Sequence, residues 1–366
     1  ARESNTQDGS NEDRVTCWRI QAVENIKETF MMAEAIPRLA VAMNSVLSDA
    51  KVSVVGKEAI EIRFNGLPAL HVNVVRRIVN NQFQIIESQV DLFPHCLSML
   101  SLKELQRLAA SENLGLRGIT VLPLHPDLSA DKAGLRIRAG FVGQKGRTPD
   151  EVENLAIDIL TAIAFARTLE DRVTESSIAG EFSFELYQSR YEQRGQVVRS
   201  RFVTHGEQTF SGSTERVFKQ ILRTLQADFH FELIQKKDQS ATLQPPGQMG
   251  PQPLQITTRI PNETPIFTCH APLMKLPALK PEVIWSMLAD LNNQVENGHF
   301  EWNPVDHVLA FTSWKHLTND LRNCSFDYVV FSASHALALA LEAVQTSTVV
   351  RLTPSYSPHA AIKRAA

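Results

Sequence analysis

Two cysteines in the sequence stand next to a histidine, in PHCLS around Cys96 and in FTCHA around Cys269. A thiol beside an imidazole is a pair that nucleophilic catalysis uses, because the imidazole can take the thiol proton. Successive side chains on a strand point to opposite faces, so Cys269 and His270 should not hydrogen-bond to each other. We therefore expect both cysteines to be buried structural thiols, and we predict no catalytic residue.

The histidines are the next candidates for chemistry, and all eleven of them occur singly. A metal site usually combines two closely spaced ligands with others from elsewhere in the chain. The nearest candidates, His299 and His307, lie on separate predicted strands, and His316 could join them only if those strands converge. The four cysteines are widely scattered and form no paired motif. The sequence therefore predicts no metal site.

The segment GFVGQKG at 140–146 has glycines three residues apart and a lysine, and it directly precedes a predicted helix. The amino end of a helix is a place where phosphate can bind. However, the segment matches neither the P-loop pattern nor the dinucleotide-binding pattern. A glycine-containing turn before a capped helix is the favoured interpretation, and no cofactor is predicted.

An aromatic set near the end of the chain suggests binding instead of catalysis: Trp302, Phe311 and Trp314. Alternation places Phe300 and Trp302 on one face of a predicted strand, and Leu309 and Phe311 on one face of the next. This apolar face is either covered by the flanking helices or partly exposed as a groove for another protein. On the second interpretation the aromatic set supplies the partner-binding residues, while the facing of Trp314 depends on the strand register.

Composition limits the classes of partner. The chain has 366 residues, which favours two domains, and it is 43% hydrophobic and 21% charged. Its net charge of −3 attracts neither nucleic acid nor acidic lipid over a distance. The sequence has no apolar run of about 18 residues, so no membrane span is expected. Scattered cysteines indicate reduced thiols in a cytoplasmic protein.

The first half of the sequence alternates helical and extended segments. Apolar residues return at helical spacing between residues 18 and 50, with Pro37 near the start of the second helical piece. Further helices are predicted at 100–115, ending near Gly115, and at 148–173, beginning near Thr148 and Pro149. The extended stretches are 51–56, 58–64, 69–75, 82–90, 119–124 and 134–143.

The second half repeats this plan. Helices are predicted at 213–229, 280–294 and 325–345, and the strands between them are HFELIQ, LQITTRI, PIFTCHAPL, HFEWNP and HVLAFTSW. The order in each half is α-β-β-β-α-β-β-α, with one extra extended stretch in the first. Leu47, Leu105 and Leu155 correspond to Leu225, Ile284 and Ala333 at offsets of 178 or 179 residues. We therefore predict an α+β protein of two tandem domains with antiparallel sheets, related by a pseudo-twofold axis.

The predicted domain boundaries follow from this repeat. Residues 15–173 form the first domain and residues 213–350 the second. The linker at 174–212 contains EFSFELYQSRYEQRGQVV, which is interpreted as strand-like. A polar arm at 1–14 and a tail at 351–366 complete the chain, and the arm is expected to be disordered.

The segment DLNNQVENGHFEW at 290–302 carries a family resemblance. Its helix ends in asparagines and leads into a strand of bulky residues, which resembles the YbjN-like family, whose domain has the type III secretion chaperone-like fold. The tandem order of elements extends this resemblance over nearly the whole chain. The resemblance implies protein binding or chaperoning without catalysis. For two copies in one chain it implies an internal pseudo-dimer.

We therefore expect a non-enzymatic protein-binding or chaperone-like adaptor in the cytoplasm. Its partner is another protein, and neither nucleic acid nor membrane is expected as a partner. The molecule is either a monomer with an internal pseudo-dimer or a homodimer. The alternative is an enzyme of unknown class, with a polar interdomain pocket built from residues distant in sequence.

Overall fold

The computed structural model describes residues 36–194, 214–316 and 339–347. The positions left out within these ranges are 42, 45–46, 48–49, 67–68, 79–82, 117, 129, 145–147, 229, 238, 245, 247–253, 260–265, 277–278 and 296. The predicted arm at 1–14 and tail at 351–366 lie outside the described residues, as does most of the helix predicted at 325–345. Residues 339–345 of that prediction are described and belong to a helical segment at 339–347.

The chain divides into two compact units, Ala1–Ala69 and Leu70–Ala366, so this division does not coincide with the predicted linker. In the first unit, helix α1 (36–44) has Pro37 in its first turn and buries Ile36, Leu39 and Met43 on one side. Strands β1 (Ala50–Val54) and β2 (Ala59–Phe64) pair as an antiparallel hairpin. The predicted second helical piece and the first two extended stretches are therefore confirmed.

The second unit begins with a strand group in which β3, β4, β6 and β5 lie side by side in that order and are all antiparallel. Its elements are β3 (Leu70–Ile78), β4 (Phe83–Leu92), α2 (Leu102–Asn113), β5 (Thr120–Leu124), β6 (Gly134–Gln144) and α3 (Thr148–Glu175). Ser101 begins α2 with a capping box that involves Glu104, and Gly115 follows the helix with a φ of +72°. Helix α3 packs on β4 and β6.

The region predicted as a linker contains regular structure in its described part. Two short strands, β7 (Ser177–Ile178) and β8 (Glu181–Phe182), precede helix α4 (Phe184–Arg194). The strand-like interpretation of this segment is therefore wrong for Phe184–Arg194. Ser183 explains the helix, because its side chain and its carbonyl accept from the backbone N–H groups of Leu186 and Tyr187, respectively.

The rest of the second unit is a six-stranded antiparallel sheet with the order β13-β14-β12-β11-β10-β9. Its elements are α5 (Thr214–Ala227), β9 (Glu232–Lys237), β10 (Ser240–Gln244), β11 (Leu254–Arg259), β12 (Ile266–Lys275), α6 (Pro281–Gln294), β13 (Gly298–Asn303) and β14 (Val308–His316). Side chains from α5, α6 and the sheet share one apolar core, which also includes Ala340 of the helical segment 339–347.

The structure confirms an α+β protein with antiparallel sheets, and the four extended stretches predicted before α2 are all strands. The second half is corrected, because four strands, not three, precede α6. The additional strand in the second half is β10, SATLQ, in which Ala241 and Leu243 are buried between more polar neighbours. This strand is short and is followed in the sequence by Pro245 and Pro246. Its few alternating apolar and polar residues therefore resemble part of a turn. No helix in the described part of the chain is long and apolar enough to cross a membrane.

Three edge strands carry the same side-chain contact, which we call the asparagine clamp. An asparagine at or near the end of a helix binds both backbone groups of a strand residue eight positions later. The pairs are Asn44 with Val52, Asn113 with Val121, and Asn292 with Phe300. The six donor–acceptor distances are 2.6–3.1 Å. Each clamp binds backbone groups that a neighbouring strand would otherwise pair with, and so it protects a sheet edge.

We predict that Asn113→Ala and Asn292→Ala each lower the free energy of unfolding by about 2–4 kcal/mol, because each leaves two buried backbone groups without their partner. Both asparagines are 1% exposed. Asn44 makes the same contact but is exposed, so Asn44→Ala is the matched control and should cost less because water can replace the amide. Urea unfolding of the three variants measures this, and equal costs would show that burial of the clamp is not important.

A buried ion pair joins α2 to α3. Arg172 Nη2 donates to Glu112 Oε2 at 2.6 Å, and Glu112 is 2% exposed. Burial raises the pKa of Glu112 and outweighs the attraction of Arg172, which lowers it. The carboxylate therefore holds its proton more tightly in the folded protein than in the unfolded chain.

We predict that Glu112→Gln gains stability relative to the wild-type protein as the pH rises. The contribution of Glu112 to the free energy of unfolding is full below its unfolded pKa and is lost as the pH rises through its raised folded pKa. The loss is about 1.4 kcal/mol for each unit by which the two pKa values differ. Urea unfolding of both proteins from about pH 4 to about pH 7 tests this. A constant difference between them would contradict the raised pKa.

Candidate functional site

Strand β14 is buried on both faces, and this fixes the position of the candidate site. Residues 309–314 are at most 4% exposed. The face with Leu309 and Phe311 belongs to the apolar core that α6 covers. The opposite face carries mostly polar side chains from β12, β13 and β14, and we call it the joint face: His270, His299, Glu301, Thr312 and Trp314.

The predicted partner-binding residues are mostly interior. Phe311 and Trp314 are each 1% exposed, and Trp302 is half-buried. Phe311 stacks against Phe300 with ring centroids 5.1 Å apart. Trp314 lies on the opposite face of β14 against His299, at 5.4 Å. The structure thus favours the first interpretation of this aromatic face, in which helices cover it, over the groove interpretation.

The carboxylate of Glu301 is the centre of the joint face. Thr312 Oγ1 donates to Glu301 Oε1 at 3.0 Å, and His270 Nδ1 lies 3.2 Å from the same oxygen. The other oxygen accepts the backbone N–H of Gly115, which follows α2. Both oxygens of a carboxylate that is 4% exposed are therefore engaged, and one of them connects the second sheet to the end of α2.

A second set of polar contacts joins β6 to the end of α6. Arg138 of β6 is 4% exposed, and its Nη2 donates to the carbonyls of Asn292 and Val295 at 2.9 and 2.7 Å. These carbonyls belong to the carboxyl end of α6, where positive charge is favourable. Arg138 Nε lies 3.4 Å from Glu87 Oε1, so the arginine has a counter-ion inside the protein.

Helices α2 and α6 pack against each other. Helix α2 also contacts β13, the edge strand that follows α6, and helix α6 contacts β5, the edge strand that follows α2. Thr120 Oγ1 of β5 donates to the carbonyl of Gly298 in β13 at 3.0 Å. Together with the Glu301 and Arg138 contacts, this forms a hydrogen-bonded connection between the two parts of the second unit, which we call the polar joint. Its described contacts hold helix ends and strand edges in place.

The predicted burial of Cys96 and Cys269 is confirmed. Cys96 and Cys269 are 8% and 0% exposed. Burial raises the pKa of Cys269 to about 12, although a hydrogen bond with Ser313 acts in the opposite direction. Cys269 and His270 do face apart, since His270 Nδ1 lies 3.0 Å from Thr312 Oγ1 on the other face.

The remaining candidates for chemistry do not assemble into a reactive centre within the described residues. The described residues contain no group of three or more His, Cys, Asp or Glu side chains that could hold a metal ion. His299 lies inside the joint face, His307 lies in the exposed turn before β14, and the His316 side chain is outside the described part. Gly140 belongs to β6, where a Cβ would lie 2.8 Å from Glu87 Cγ. This glycine therefore makes room for the partner of Arg138.

A surface cluster of aromatic and arginine side chains lies on the outside of α2 and α6. The Arg107 guanidinium of α2 lies 4.1 Å from the ring centroid of Phe184 in α4 and 5.5 Å from that of Trp285 in α6. These three side chains are half-buried. Phe182 and Tyr187 continue the cluster, with ring centroids 5.6 Å apart. We call Arg107, Phe184 and Trp285 the arginine–aromatic surface.

Comparison with protein-family models finds no match for this chain, and comparison with curated proteins finds none either.

Sequence reasoning missed both the polar joint and the arginine–aromatic surface. A sequence signal existed for the asparagine clamps, because Asn113 lies 179 positions before Asn292, and Val121 lies 179 positions before Phe300. No local pattern shows that Arg107 and Trp285 meet, because they are far apart in the chain and each occurs alone on its helix.

Proposed function

We propose that the protein is a non-enzymatic, protein-binding adaptor, and that the arginine–aromatic surface is a binding site for its partner. Tryptophan and arginine are enriched among residues that dominate the binding energy of protein interfaces. Arg107, Phe184 and Trp285 are partly accessible and are held against one another by three different helices, so little side-chain freedom is lost on binding. This surface is the observation that carries the proposal.

We further propose that the chain consists of two tandem domains, at 15–173 and 213–350, related by a pseudo-twofold axis. The matching strand orders β3-β4-β6-β5 and β11-β12-β14-β13 support this, as do the two buried asparagine clamps 179 residues apart. The reciprocal packing of α2 on β13 and of α6 on β5 is what a twofold relation requires. Under this proposal the likeness to the YbjN-like family applies to each half, and the cytoplasm is the expected location.

Trp285→Ala should weaken partner binding by about 2 kcal/mol while changing the melting temperature little, because the indole is only half-buried. The partner is first captured from native lysate on the tagged full-length chain and identified by mass spectrometry. A titration of that partner then compares the wild-type protein, Trp285→Ala and the control Phe93→Ala, which truncates an aromatic ring that is 46% exposed. Equal affinity of all three proteins would exclude the arginine–aromatic surface, and failure to retain any specific protein would count against the adaptor function.

A further inference from the structure

Strand β9 differs from the other edge strands. The asparagine clamps cover β1, β5 and β13, but none of the described clamps reaches β9, which forms the opposite edge of the second sheet. Five of its six residues are exposed, and Ile234 is 56% exposed. The strand register shifts at Ile234, which is an additional residue relative to β10. An edge strand without cover can pair with an extended segment of another chain.

Positive charge surrounds this edge. Lys236 and Lys237 lie on β9, and the exposed face of α5 carries Arg216, Lys219 and Arg223 together with Gln220 and Glu215. Lys219 Nζ lies 2.6 Å from Glu215, the single acidic side chain in that set. Residues 214–237 contain five Lys and Arg against three Asp and Glu, whereas the whole chain has 37 against 40. The excess of positive charge is therefore local.

Helix α5 and strand β9 are joined by a short turn, across which the Phe231 N–H donates to the Leu225 carbonyl at 3.0 Å, so the strand begins against the end of the helix. Lys219 lowers the pKa of the Glu215 carboxyl, and Lys236 of β9 adds a smaller effect in the same direction. The first turn of α5 thus lies within electrostatic range of the end of β9. We call β9 with Arg216, Lys219 and Arg223 the basic edge.

We propose that the basic edge binds an extended acidic segment of a partner protein, which adds a strand beside β9 and places acidic side chains near the cations of α5. The proposal goes beyond the arginine–aromatic surface and rests on the proposed adaptor function only in requiring a protein partner. Backbone pairing along β9 would supply affinity, and the lysines would select for acidic side chains.

Other occupants fit the basic edge less well. A second copy of this chain, paired antiparallel, could place Glu232 opposite Lys237, but Lys236 would then face the apolar Leu233, so a strand with several acidic side chains matches this edge better. A nucleic acid would use the cations but not the hydrogen-bonding row of the strand edge. Lysines on an edge strand also discourage unspecific pairing with neutral strands, so the same residues act against aggregation and in favour of an acidic partner.

The test measures fluorescence anisotropy of labelled probes with the full-length chain at low and high salt. The main probe is a decapeptide of alternating Val and Glu. The comparison probes are the Val and Lys decapeptide, the Val and Glu decapeptide N-methylated along one edge, and a single-stranded oligothymidylate of the same length. We expect binding of the first probe only, and we expect it to weaken as salt is added.

Two charge-reversed variants locate the site. Lys236→Glu with Lys237→Glu should weaken binding of the Val and Glu peptide by about tenfold or more, since two attractions become repulsions. Lys103→Glu with Lys132→Glu changes the net charge equally at exposed positions elsewhere and should leave the affinity within about twofold. Unchanged thermal melting of both variants shows that they are folded.

Several results would overturn the proposal. Equal losses in the two variants would mean that only net charge is sensed, and equal binding of the N-methylated peptide would exclude strand pairing. Tighter binding of the oligothymidylate would identify a nucleic-acid surface. If the variant with Lys236→Glu and Lys237→Glu binds the captured partner as tightly as the wild-type protein does, the adaptor function stands and the basic edge is refuted.

Discussion

Trp314→Ala should lower the free energy of unfolding by about 3–5 kcal/mol, since truncating a buried tryptophan leaves a large cavity. Trp314 is 1% exposed and stacks on His299, and its carbonyl accepts from Asn297 Nδ2 at 3.1 Å. The side chain is thus packed within the joint face, while its backbone carbonyl binds the turn before β13. Urea unfolding of the variant measures the loss.

Two further variants make this prediction specific. Trp314→Phe keeps most of the ring volume and should recover a large part of the stability, whereas Trp302→Ala removes a half-buried indole and should cost less than Trp314→Ala. A Trp314→Ala protein that melts like the wild type but binds its partner weakly would restore Trp314 as an interface residue, contrary to its buried position.

The strands around Trp314 show what the sequence can predict and where its pattern fails. Phe300, Trp302, Leu309 and Phe311 alternate as expected, and their face packs on α6 as one interpretation predicted. Alternation cannot predict that the opposite face is also buried, because Thr312 and Glu301 are polar residues of the kind that normally contact solvent. They are buried because residues distant in the chain, such as Gly115, satisfy their hydrogen bonds.

Helices and long strands were predictable because each carries its own periodicity and ends. Gly115, for example, indicates the end of α2, and Pro37 indicates the beginning of α1. Short elements such as β10 were not predictable, since five residues beside a Pro-Pro pair give too little alternation. Phe184 and Tyr187 are strand-favouring residues in isolation, but the Ser183 cap places them on a helix.

Arg138→Met should cost about 3–5 kcal/mol, because removal of one member of a buried ion pair leaves the other charged and uncompensated. Glu87 is 1% exposed, and the carbonyls of Asn292 and Val295 would lose a charged donor at the same time. Methionine keeps the length and apolar volume of the side chain, so the loss reports mainly on charge and hydrogen bonds. The free energy of unfolding in urea is again the quantity to measure.

The double variant Glu87→Gln with Arg138→Met separates the ion pair from the contact with α6. If most of the cost of Arg138→Met comes from the charge left on Glu87, the double variant should be more stable than Arg138→Met alone, as the removal of both partners of a buried pair often is. If the cost comes from the carbonyls at the end of α6, the double variant should be no more stable, and Arg138→Lys should recover part of the loss by donating to one of them. We expect the first outcome, because the two carbonyls of α6 are neutral acceptors whereas Glu87 is a buried acidic residue whose carboxylate loses its counter-ion. Equal stability of the wild-type protein and Arg138→Met would refute the role of Arg138 in the polar joint, since nothing else among its described contacts replaces a charged donor between β6 and α6.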